Sequence, residues 1–223
     1  MADSLVIEPD LVERTLRVAL ATGAEFAEVY AEDKRSTSMG LDDGRVEQVN
    51  SGRDRGAGIR VIKGDTTGFA HTSDLSPAGL AAAAEAAAAA ASQGDGTTTT
   101  VALTPSEQRV VNTIVQAPGD VPKATKVELL QRINAAARGA GPQIVQVSAG
   151  YSDSRKRVLI ANSEGLLAHD DITRVLVRVS AVADGDTGMQ TGYQTLGHTT
   201  GWEIFDERDV EEMAREAARQ ATV

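Results

Sequence analysis

Two tight turns between alternating runs of residues constrain the fold of this chain more than any other feature. Asp-Asp-Gly at residues 42–44 separates two such runs, residues 36–41 and 45–50, and Gly-Asp at residues 64–65 marks a second candidate turn, between residues 58–63 and 67–71. Both central residues of a type I′ turn need a positive φ, and Asp-Gly sequences are favoured there. The pattern therefore predicts two antiparallel hairpins in the first part of the chain, with strand-like runs at residues 26–32, 36–41, 45–50, 58–63 and 67–71.

Helices are predicted on both sides of these hairpins. Pro9 suits the first turn of a helix that ends near Gly23. Ser76 is a candidate N-cap for an alanine-rich helix that begins at Pro77. Residues 1–95 thus follow the order helix, antiparallel meander, helix, which is typical of an α+β domain.

The second part of the chain contains the same classes of element. Residues 123–138 have a helical apolar face, and a last helix is predicted from about residue 206. Strands are predicted between them at residues 144–153, 156–162, 165–183 and 188–200. Residues 94–100 are small and polar, which is typical of a linker. We therefore predict an α+β fold of two consecutive domains, residues 1–100 and 101–223, each a mainly antiparallel sheet with flanking helices.

The composition limits both the core and the classes of function. Aromatic residues make up only 3% of the chain, so a core of Val, Ile, Leu and Ala is expected. The net charge of −10 argues against a nucleic-acid surface, because such surfaces cluster Lys and Arg. No apolar segment approaches the roughly 18 residues of a membrane span, and residues 1–20 lack a signal-peptide pattern. The absence of cysteine fits a reducing compartment, so a cytoplasmic protein is expected.

The sequence offers no residue that we assign as catalytic, cofactor-binding or metal-binding. Without cysteine there is no thiol nucleophile and no thiolate ligand. The three histidines, His71, His169 and His198, are isolated from one another in the sequence. A zinc-hydrolase helix needs two histidines one helical turn apart, with a glutamate between them as base. No such pair is present.

Four short motifs resemble binding sites but are interpreted as structural. Gly-Ala-Gly at residues 56–58 precedes a strand, whereas a dinucleotide loop opens a helix, so these glycines are expected to start a strand or form a bulge. His-Asp-Asp at residues 169–171 is expected on a strand or turn, and adjacent side chains on a strand point to opposite faces. Asp-Asp at residues 42–43 is expected in a turn. Asp-Gly-Asp at residues 184–186 resembles the start of a calcium loop, but the glycine and glutamate that such a loop has downstream are missing, so a turn is expected there too.

Ordered segments over nearly the whole chain resemble the TldD/PmbA family. In the first part these segments are Glu25–Tyr30, Leu41–Glu47, Gly58–Ala70 and Asp74–Ser76. In the second part they are Ile160–Gly165, Asp170–Asp171 and Met189–Tyr193. The Asn-Ser-Glu-Gly turn at residues 162–165 and the Met-Gln-Thr-Gly run at residues 189–192 resemble the TldD branch more than the PmbA (TldE) branch.

The resemblance implies a function for a longer protein. TldD-like proteins are zinc metallopeptidases that cut unfolded or extended peptides, and they pair with a PmbA-like (TldE-like) subunit. Their zinc site lies in a C-terminal domain, on a His-Glu-x-x-x-His helix completed by a later cysteine, and neither occurs in this sequence. We therefore expect the non-catalytic N-terminal portion of such a peptidase, with zinc in the complete protein and no cofactor in this chain. Whether this chain is itself an enzyme stays open.

Two alternative functions also stay open. The chain is alternatively a stand-alone peptide-binding or assembly module that works with a separate catalytic subunit. A half-exposed antiparallel sheet accepts an extended peptide as an added strand, and the candidate surfaces are the strands at residues 58–62 and 175–182. A DNA-associated regulator is suggested by the family's other name, gyrase modulator. The acidic charge argues against direct contact with DNA.

Overall fold

The chain forms groups of consecutive strands that lie between helices in the sequence, as a computed structural model shows. The structure describes residues 5–92, 102–106, 113–186 and 188–222. The helices are α1 (Pro9–Leu20), α2 (Pro77–Ala90), α3 (Lys123–Arg138), α4 (Ile204–Glu207) and α5 (Val210–Ala221). The strands are β1 (Phe26–Asp42), β2 (Arg45–Lys63), β3 (Thr66–Thr72), β4 (Thr104–Pro105), β5 (Ile144–Asn162), β6 (Leu166–Gly185) and β7 (Gly188–His198). A short 3₁₀ helix, Pro118–Asp120, precedes α3.

The described strands pair in the order β3-β2-β1-β5-β6-β4, and β7 also pairs with β6. The β2–β3 and β6–β7 pairs are antiparallel, whereas the two-residue strand β4 runs parallel to β6. The predicted α+β class, with a large antiparallel sheet and flanking helices, is confirmed.

The chain divides into two compact units. Unit 1 takes the described residues of Met1–Lys34, Arg53–Arg109 and Lys156–Asp171, and unit 2 takes those of Arg35–Gly52, Val110–Arg155 and Ile172–Val223. Each unit therefore draws its residues from both the first and the second half of the sequence.

Unit 1 has an aliphatic core beneath α1 and α2. Helix α1 contributes Val12, Leu16 and Leu20, and β2 contributes Ile59 and Val61. Alanine supplies most of the remaining buried side chains, which lets α2 approach its neighbours closely. The expected core of Val, Ile, Leu and Ala is confirmed for this unit.

Unit 2 instead contains an aromatic cluster. The ring centroids of Trp202 and Phe205 lie 4.8 Å apart, and Tyr151 lies 5.7 Å from Trp202 and 6.1 Å from Phe205. All three side chains are buried in the core of this unit. The expectation of a purely aliphatic core is therefore wrong here. A low aromatic content limits how many such residues exist, but it does not determine where they lie.

A buried ion pair lies beside this cluster. The Nζ of Lys126 is 2.7 Å from Oδ2 of Asp153, and both side chains are buried. The same Nζ is 5.3 Å from the centroid of the Tyr151 ring. Burial raises the pKa of the Tyr151 hydroxyl, and the nearby negative charge of Asp153 raises it further. Lys126 is thus the cation that offsets a carboxylate placed inside the core.

Both predicted hairpins are confirmed. Asp43 and Gly44 have φ values of 47° and 78°, as a type I′ turn requires. Gly64 has a φ of 55°, and Lys63 pairs with Thr66 across the second turn. These turns are local features, so the residues within them were sufficient to predict them.

Strands β1, β2 and β5 are longer than predicted. Each continues through a polar stretch where the sequence suggested an end, at residues 33–35, 51–56 and 154–155. The Gly-Ala-Gly motif at residues 56–58 consequently lies inside β2 and does not start a strand. Backbone pairing continues where the alternating apolar pattern stops, because an antiparallel ladder depends on the backbone and not on side-chain hydrophobicity.

The predicted helix starts are confirmed for the first two helices. Pro9 is the first residue of α1, and Ser76 Oγ accepts a hydrogen bond from the Gly79 N–H at 3.2 Å. The predicted last helix is divided in the structure into α4 and α5, with Asp209 as the N-cap of α5. The predicted linker at residues 94–100 lies outside the described residues.

In each unit an edge strand and a helix make close contact at a glycine. A Cβ added to Gly68 of β3 would lie 2.0 Å from the backbone oxygen of Ala87 in α2. A Cβ added to Gly192 of β7 would lie 1.8 Å from the backbone oxygen of Ala217 in α5. Both glycines stand in a Thr-Gly-aromatic sequence, residues 67–69 and 191–193. The two units therefore repeat one local arrangement of strand and helix.

Glu203 holds two loop segments of unit 2 together. Its carboxylate accepts hydrogen bonds from the N–H of Gln116 at 2.9 Å, the N–H of Gly201 at 3.0 Å and the hydroxyl of Thr200 at 2.9 Å. Burial alone would raise the pKa of Glu203, but these hydrogen bonds outweigh it and lower the pKa to about 2. The charged form of Glu203 is therefore the form that the fold stabilises.

We expect unit 2 to lose stability as the pH falls from about 4.5 towards 2, because Glu203 must then bind a proton that it resists in the fold. A pKa depressed from 4.5 to about 2 corresponds to about 3 kcal/mol, fully present above pH 4.5. The measurement is urea unfolding across this pH range. Glu203→Gln should flatten the dependence, and Glu207→Gln, an exposed change on α4, should not. Parallel curves for the wild type and Glu203→Gln would contradict the assignment.

Candidate functional site

The two strands predicted to accept a peptide have no free edge. Residues 58–62 of β2 pair with residues 67–71 of β3, and β1 is the other neighbour of β2. Residues 175–182 of β6 pair with residues 191–198 of β7, and β5 lies on the other side. These two candidate surfaces are therefore wrong, because the alternation of side chains shows which face is buried but not which strand lies at the edge.

Apart from the two-residue strand β4, which pairs only with β6, the free edges among the described strands belong to β3 in unit 1 and to β7 in unit 2. Among the described strands, β3 pairs only with β2 and β7 pairs only with β6. Paired residues in an antiparallel ladder alternate between bonded and non-bonded pairs, and the Lys63–Thr66 pair closes the hairpin. The N–H and C=O groups of Thr67, Phe69 and His71 consequently point away from β2. We call this side of Thr66–Thr72 the β3 edge.

The β3 edge carries an exposed aromatic side chain and no lysine, arginine or acidic side chain. Phe69 is 62% exposed, and its ring centroid lies 6.3 Å from that of His71. The strand consists of Thr, Gly, Phe, Ala and His, without lysine, arginine, acidic residues or proline. Natural edge strands commonly carry such residues to prevent unwanted pairing. Strand β7 lacks these residue types as well, so neither edge carries a charged or proline residue of its own that would prevent pairing with another strand.

The β7 edge differs because a side chain covers part of it. The N–H of Tyr193 donates to Oε1 of Gln220 in α5 at 3.4 Å. Tyr193 is 54% exposed and follows Gly192 as Phe69 follows Gly68. The matching N–H of Phe69 has no side-chain acceptor among the hydrogen bonds of the described residues. The two edges thus share a sequence pattern but not the same degree of protection.

Charged residues continue the outer face of unit 1 beyond β3. Arg60 pairs with Phe69 across the ladder, and its Nε lies 2.8 Å from Oε1 of Glu28. The guanidinium of Arg60 also lies 5.9 Å from the centroid of the Phe26 ring. Phe26 and Phe69 thus expose aromatic surface beside Arg60, and the positive charge of Arg60 is offset by the carboxylate of Glu28.

A second group of contacting side chains in unit 1 consists of Tyr30, Glu32 and Lys156. Tyr30 donates to Oε2 of Glu32 at 2.6 Å, and Lys156 Nζ lies 2.8 Å from the same oxygen. The hydrogen bond from Lys156, followed by that from Tyr30, lowers the pKa of Glu32. The bond to Glu32 in turn raises the pKa of Lys156. Both groups therefore stay charged near neutral pH.

Asp33 forms the most strongly perturbed charge cluster of unit 1. Arg53 donates to both carboxylate oxygens at 2.8 and 2.7 Å, and Arg157 donates to Oδ2 at 2.6 Å. These bonds, that from Arg53 first, hold the pKa of Asp33 well below its usual range in spite of burial. The cluster links three neighbouring strands, β2, β1 and β5, through a buried carboxylate. It explains how these strands continue through polar sequence.

The Asn-Ser-Glu-Gly turn has a structural role in unit 1. Ser163 Oγ accepts from the N–H of Ala27 at 3.0 Å, and the N–H of Ser163 donates to the Ala27 oxygen at 2.8 Å. Asn162 Oδ1 accepts from the N–H groups of Glu164 and Leu166 at 3.1 and 3.0 Å. The turn therefore joins the β5–β6 connection to β1 instead of forming a ligand site.

The remaining motifs lie on different elements of the fold. His71 lies in β3, His169 in β6 and His198 at the end of β7. Residues 42–43 are at the end of β1 and its turn, and residues 184–186 are at the end of β6 and its turn. Within the described residues, no group of three or more His, Cys, Asp or Glu side chains is arranged to hold a metal ion.

Membrane insertion through a helix finds no support in the described part of the chain. None of its helices combines the length and the apolar character needed to cross a bilayer.

Comparison with protein families identifies this architecture. A model of PmbA/TldA metallopeptidase domain 1 matches residues 27–91, and a model of the PmbA/TldA metallopeptidase central domain matches residues 116–223. The fold is thus that of the first two domains of a metallopeptidase family. The chain belongs to the PmbA/TldD family.

Curated relatives agree with this assignment. A metalloprotease of Methanothermobacter thermautotrophicus is 33% identical over 197 residues, which cover 88% of this chain and 42% of the relative. A metalloprotease TldD homolog of Haemophilus influenzae is 30% identical over 209 residues, with coverage of 89% and 42%. The chain therefore spans less than half the length of these relatives.

Solved structures share the fold. A protein of Thermotoga maritima, described as a modulator of a DNA gyrase, has a TM-score of 0.76 at 20% identity over 96% of this chain and 47% of its own. TldE of Thermococcus kodakarensis has a TM-score of 0.76 at 17% identity over 95% and 47%. At these identities the likeness concerns the fold alone.

Sequence reasoning missed the β3 edge although a signal for it was present. Thr67-Gly68-Phe69 directly follows Gly-Asp-Thr at residues 64–66, and Thr191-Gly192-Tyr193 follows Gly-Asp-Thr at residues 185–187 after three intervening residues. The repetition marks two equivalent strands, each at the end of a meander. The order of the strands in the sheet depends on which distant segments pair, and the periodicity of one segment does not reveal its partner.

Proposed function

We propose that this chain forms the non-catalytic N-terminal portion of a TldD-like zinc metallopeptidase. The single observation that carries the proposal is the ordered match to the first and central domain models, within relatives called metalloproteases of which the chain covers 42%. The proposed order is an N-terminal domain at residues 1–100, a central domain at residues 101–223 and a C-terminal domain that carries the zinc. The Asn-Ser-Glu-Gly turn and the Met-Gln-Thr-Gly run support the TldD branch.

The proposed substrates are unfolded or extended peptides, and the proposed partner is a PmbA-like (TldE-like) subunit in the cytoplasm. Nucleic acid and membrane are not part of the proposal. In the complete protein, zinc would activate water for attack on the peptide carbonyl. The contribution of this chain would be to bind and present the polypeptide, since its described residues bring no metal-binding group together.

Measurement of the intact mass of the native protein tests this proposal. The 223-residue chain has a mass of 23.3 kDa. A mass about twice as large, with a His-Glu-x-x-x-His segment encoded downstream of the Val223 codon, is expected. A native mass near 23 kDa would contradict the proposal and favour the second candidate, a stand-alone peptide-binding module that works with a separate catalytic subunit. The open β3 edge is the observation that supports this second candidate.

A further inference from the structure

We propose that Arg178, on the exposed face of β6, binds a carboxylate group carried by a peptide ligand. The inference rests on the proposed function, in which this chain binds unfolded polypeptides, and it adds a preference for particular side chains or chain ends. The residues that carry the argument all belong to unit 2.

The two faces of β6 differ in character. Val175, Val177 and Val179 point into the core of unit 2. Because side chains alternate along a strand, Arg174 and Arg178 lie on the opposite face, and both are exposed. Strand β6 has no acidic residue between positions 172 and 183, and its partner β7 has none at all. The two strands therefore offer these arginines no nearby carboxylate.

Neither arginine on this face has a partner elsewhere in unit 2. Within the part of the chain that the structure describes, Arg174 and Arg178 form no ion pair and no side-chain hydrogen bond. The arginines of helices α3 and α5 are all paired with carboxylates, as Arg132–Glu211, Arg138–Asp43, Arg215–Glu212 and Arg219–Glu216. In a chain of net charge −10, the lack of a partner is thus a property of this face and not of a shortage of acids.

A glycine of the neighbouring strand β5 determines where the Arg178 side chain lies. The three atoms closest to a Cβ added to Gly150 all belong to Arg178, with Nε at 2.8 Å, Cγ at 3.2 Å and Cδ at 3.5 Å. The side chain therefore lies across β5, in space that any larger residue at position 150 would take. An arginine held in this way loses less conformational entropy when it binds a ligand.

The acidic residue that contacts β5 close to Gly150 is already engaged. Asp42 Oδ1 accepts hydrogen bonds from Ser148 Oγ at 2.5 Å and from Gln146 Nε2 at 3.1 Å. Ser148 lies two residues before Gly150 and thus on the same face of β5. Asp42 is bound beside the Arg178 site without occupying it.

The chemistry of the face favours a carboxylate on a peptide. A guanidinium group presents a planar set of donors that matches the two oxygens of a carboxylate. Leu176, on the same face, is 38% exposed and lies opposite Gly197, so apolar surface borders the cation. A nucleic acid is a poor alternative, because a long polyanion would meet the net charge of −10 of the whole chain. The ligand is therefore a peptide with a carboxylate beside an apolar residue.

The test is a titration of the full chain with three short peptides, followed by NMR of the arginine Nε–H groups. The peptides share an acetylated sequence of serine and valine around one variable position. The first has glutamate there and an amidated C-terminus. The second has glutamine and a free C-terminus. The third has glutamine and an amidated C-terminus, and hence no carboxylate. The Arg178 signal is the one that Arg178→Gln removes.

The Arg178 signal is expected to shift with a peptide that carries a carboxylate and to stay in place with the third peptide. A shift with the first peptide alone assigns the site to acidic side chains. A shift with the second alone assigns it to C-terminal carboxylates. Either result supports the inference, because the carboxylate is the group that both sources share.

Three variants test the position of the site. Arg178→Gln should weaken binding about tenfold or more, because charge-assisted hydrogen bonds are lost. Arg174→Gln is the matched control: it removes the same charge from the same face about 13 Å away, beyond the screening length of about 8 Å, and should change affinity less than about threefold. Gly150→Ala keeps both charges but displaces the Arg178 side chain, so it should also weaken binding. Circular dichroism verifies that each variant is folded.

Several results would overturn the inference. They are no binding by the wild type, equal binding of all three peptides, an Arg178 signal that does not shift, or equal losses of affinity in Arg174→Gln and Arg178→Gln. Unchanged affinity of a folded Gly150→Ala variant would overturn the role given to Gly150.

This experiment needs no metal and no catalytic domain. A native mass near 23 kDa would contradict the proposed peptidase and leave carboxylate binding at Arg178 intact. Equal binding of the three peptides would remove the site and leave the native mass as it is. The failure of the inference is therefore distinguishable from the failure of the proposed function.

Discussion

Lys126→Ala is expected to lower the free energy of unfolding by about 3–5 kcal/mol, because it leaves the Asp153 carboxylate buried without its cation. The two groups are 2.7 Å apart, and the exposed fractions of their residues are 2% for Lys126 and 9% for Asp153. Urea unfolding followed by tryptophan fluorescence measures the effect. Trp202 is the only tryptophan of the chain and lies in the same core.

Two variants control this experiment. Lys126→Met combined with Asp153→Leu removes both charges and keeps similar volume, so its stability should return to within about 1–2 kcal/mol of the wild type or exceed it. Lys123→Ala, an exposed change on the same helix, should alter stability by less than about 0.5 kcal/mol. A Lys126→Ala protein as stable as the wild type would show that Asp153 finds another partner or binds a proton at little cost.

Gly68→Ala and Gly192→Ala are each expected to destabilise the protein by about 3 kcal/mol or more, because the new methyl group would overlap helix backbone. The added Cβ atoms would lie 2.0 and 1.8 Å from backbone oxygens, and 2.8 Å from the backbone nitrogens of Ala91 and Ala221. The strand and the helix must separate to admit them, since neither obstacle is a movable side chain. Thermal and urea unfolding monitored by circular dichroism measure the loss.

Gly119→Ala is the matched control for these glycines. An added Cβ at Gly119 would meet no atom within 4 Å. Its stability should therefore change by less than about 1 kcal/mol. If Gly68→Ala and Gly192→Ala behaved like Gly119→Ala, the close contact between strand and helix would not exist in solution.

Local features of this fold were predictable from the sequence, and long-range ones were not. The Asp43–Gly44 turn and the Ser76 cap depend on a few adjacent residues, so composition and spacing sufficed for them. The length of β1 and β2 depends on Asp33, which meets Arg53 and Arg157 only after the strands pair. No periodic pattern of one segment contains that information.

The same distinction applies to the candidate site. Alternation correctly placed residues 58–62 and 175–182 on strands, but the order of the strands decided that both would be interior. The aromatic cluster of unit 2 is a further case, because Tyr151 and Trp202 are separated by many residues of sequence and become neighbours only in the folded core. The absence of an assigned catalytic residue stays a prediction.

The contact between Gly68 and Ala87 makes two distant sequence positions mutually dependent. A run such as residues 81–84 or 86–91, composed entirely of alanine, has the composition of a low-complexity segment. Its lack of bulk is nevertheless what lets α2 lie directly on β3. Any natural variant with a larger residue at Gly68 must therefore shift the helix and change the spacing beside the β3 edge. The separation of α2 from β3 is accordingly set by Gly68 and the alanine helix together, and a larger side chain on either side of this contact would widen it.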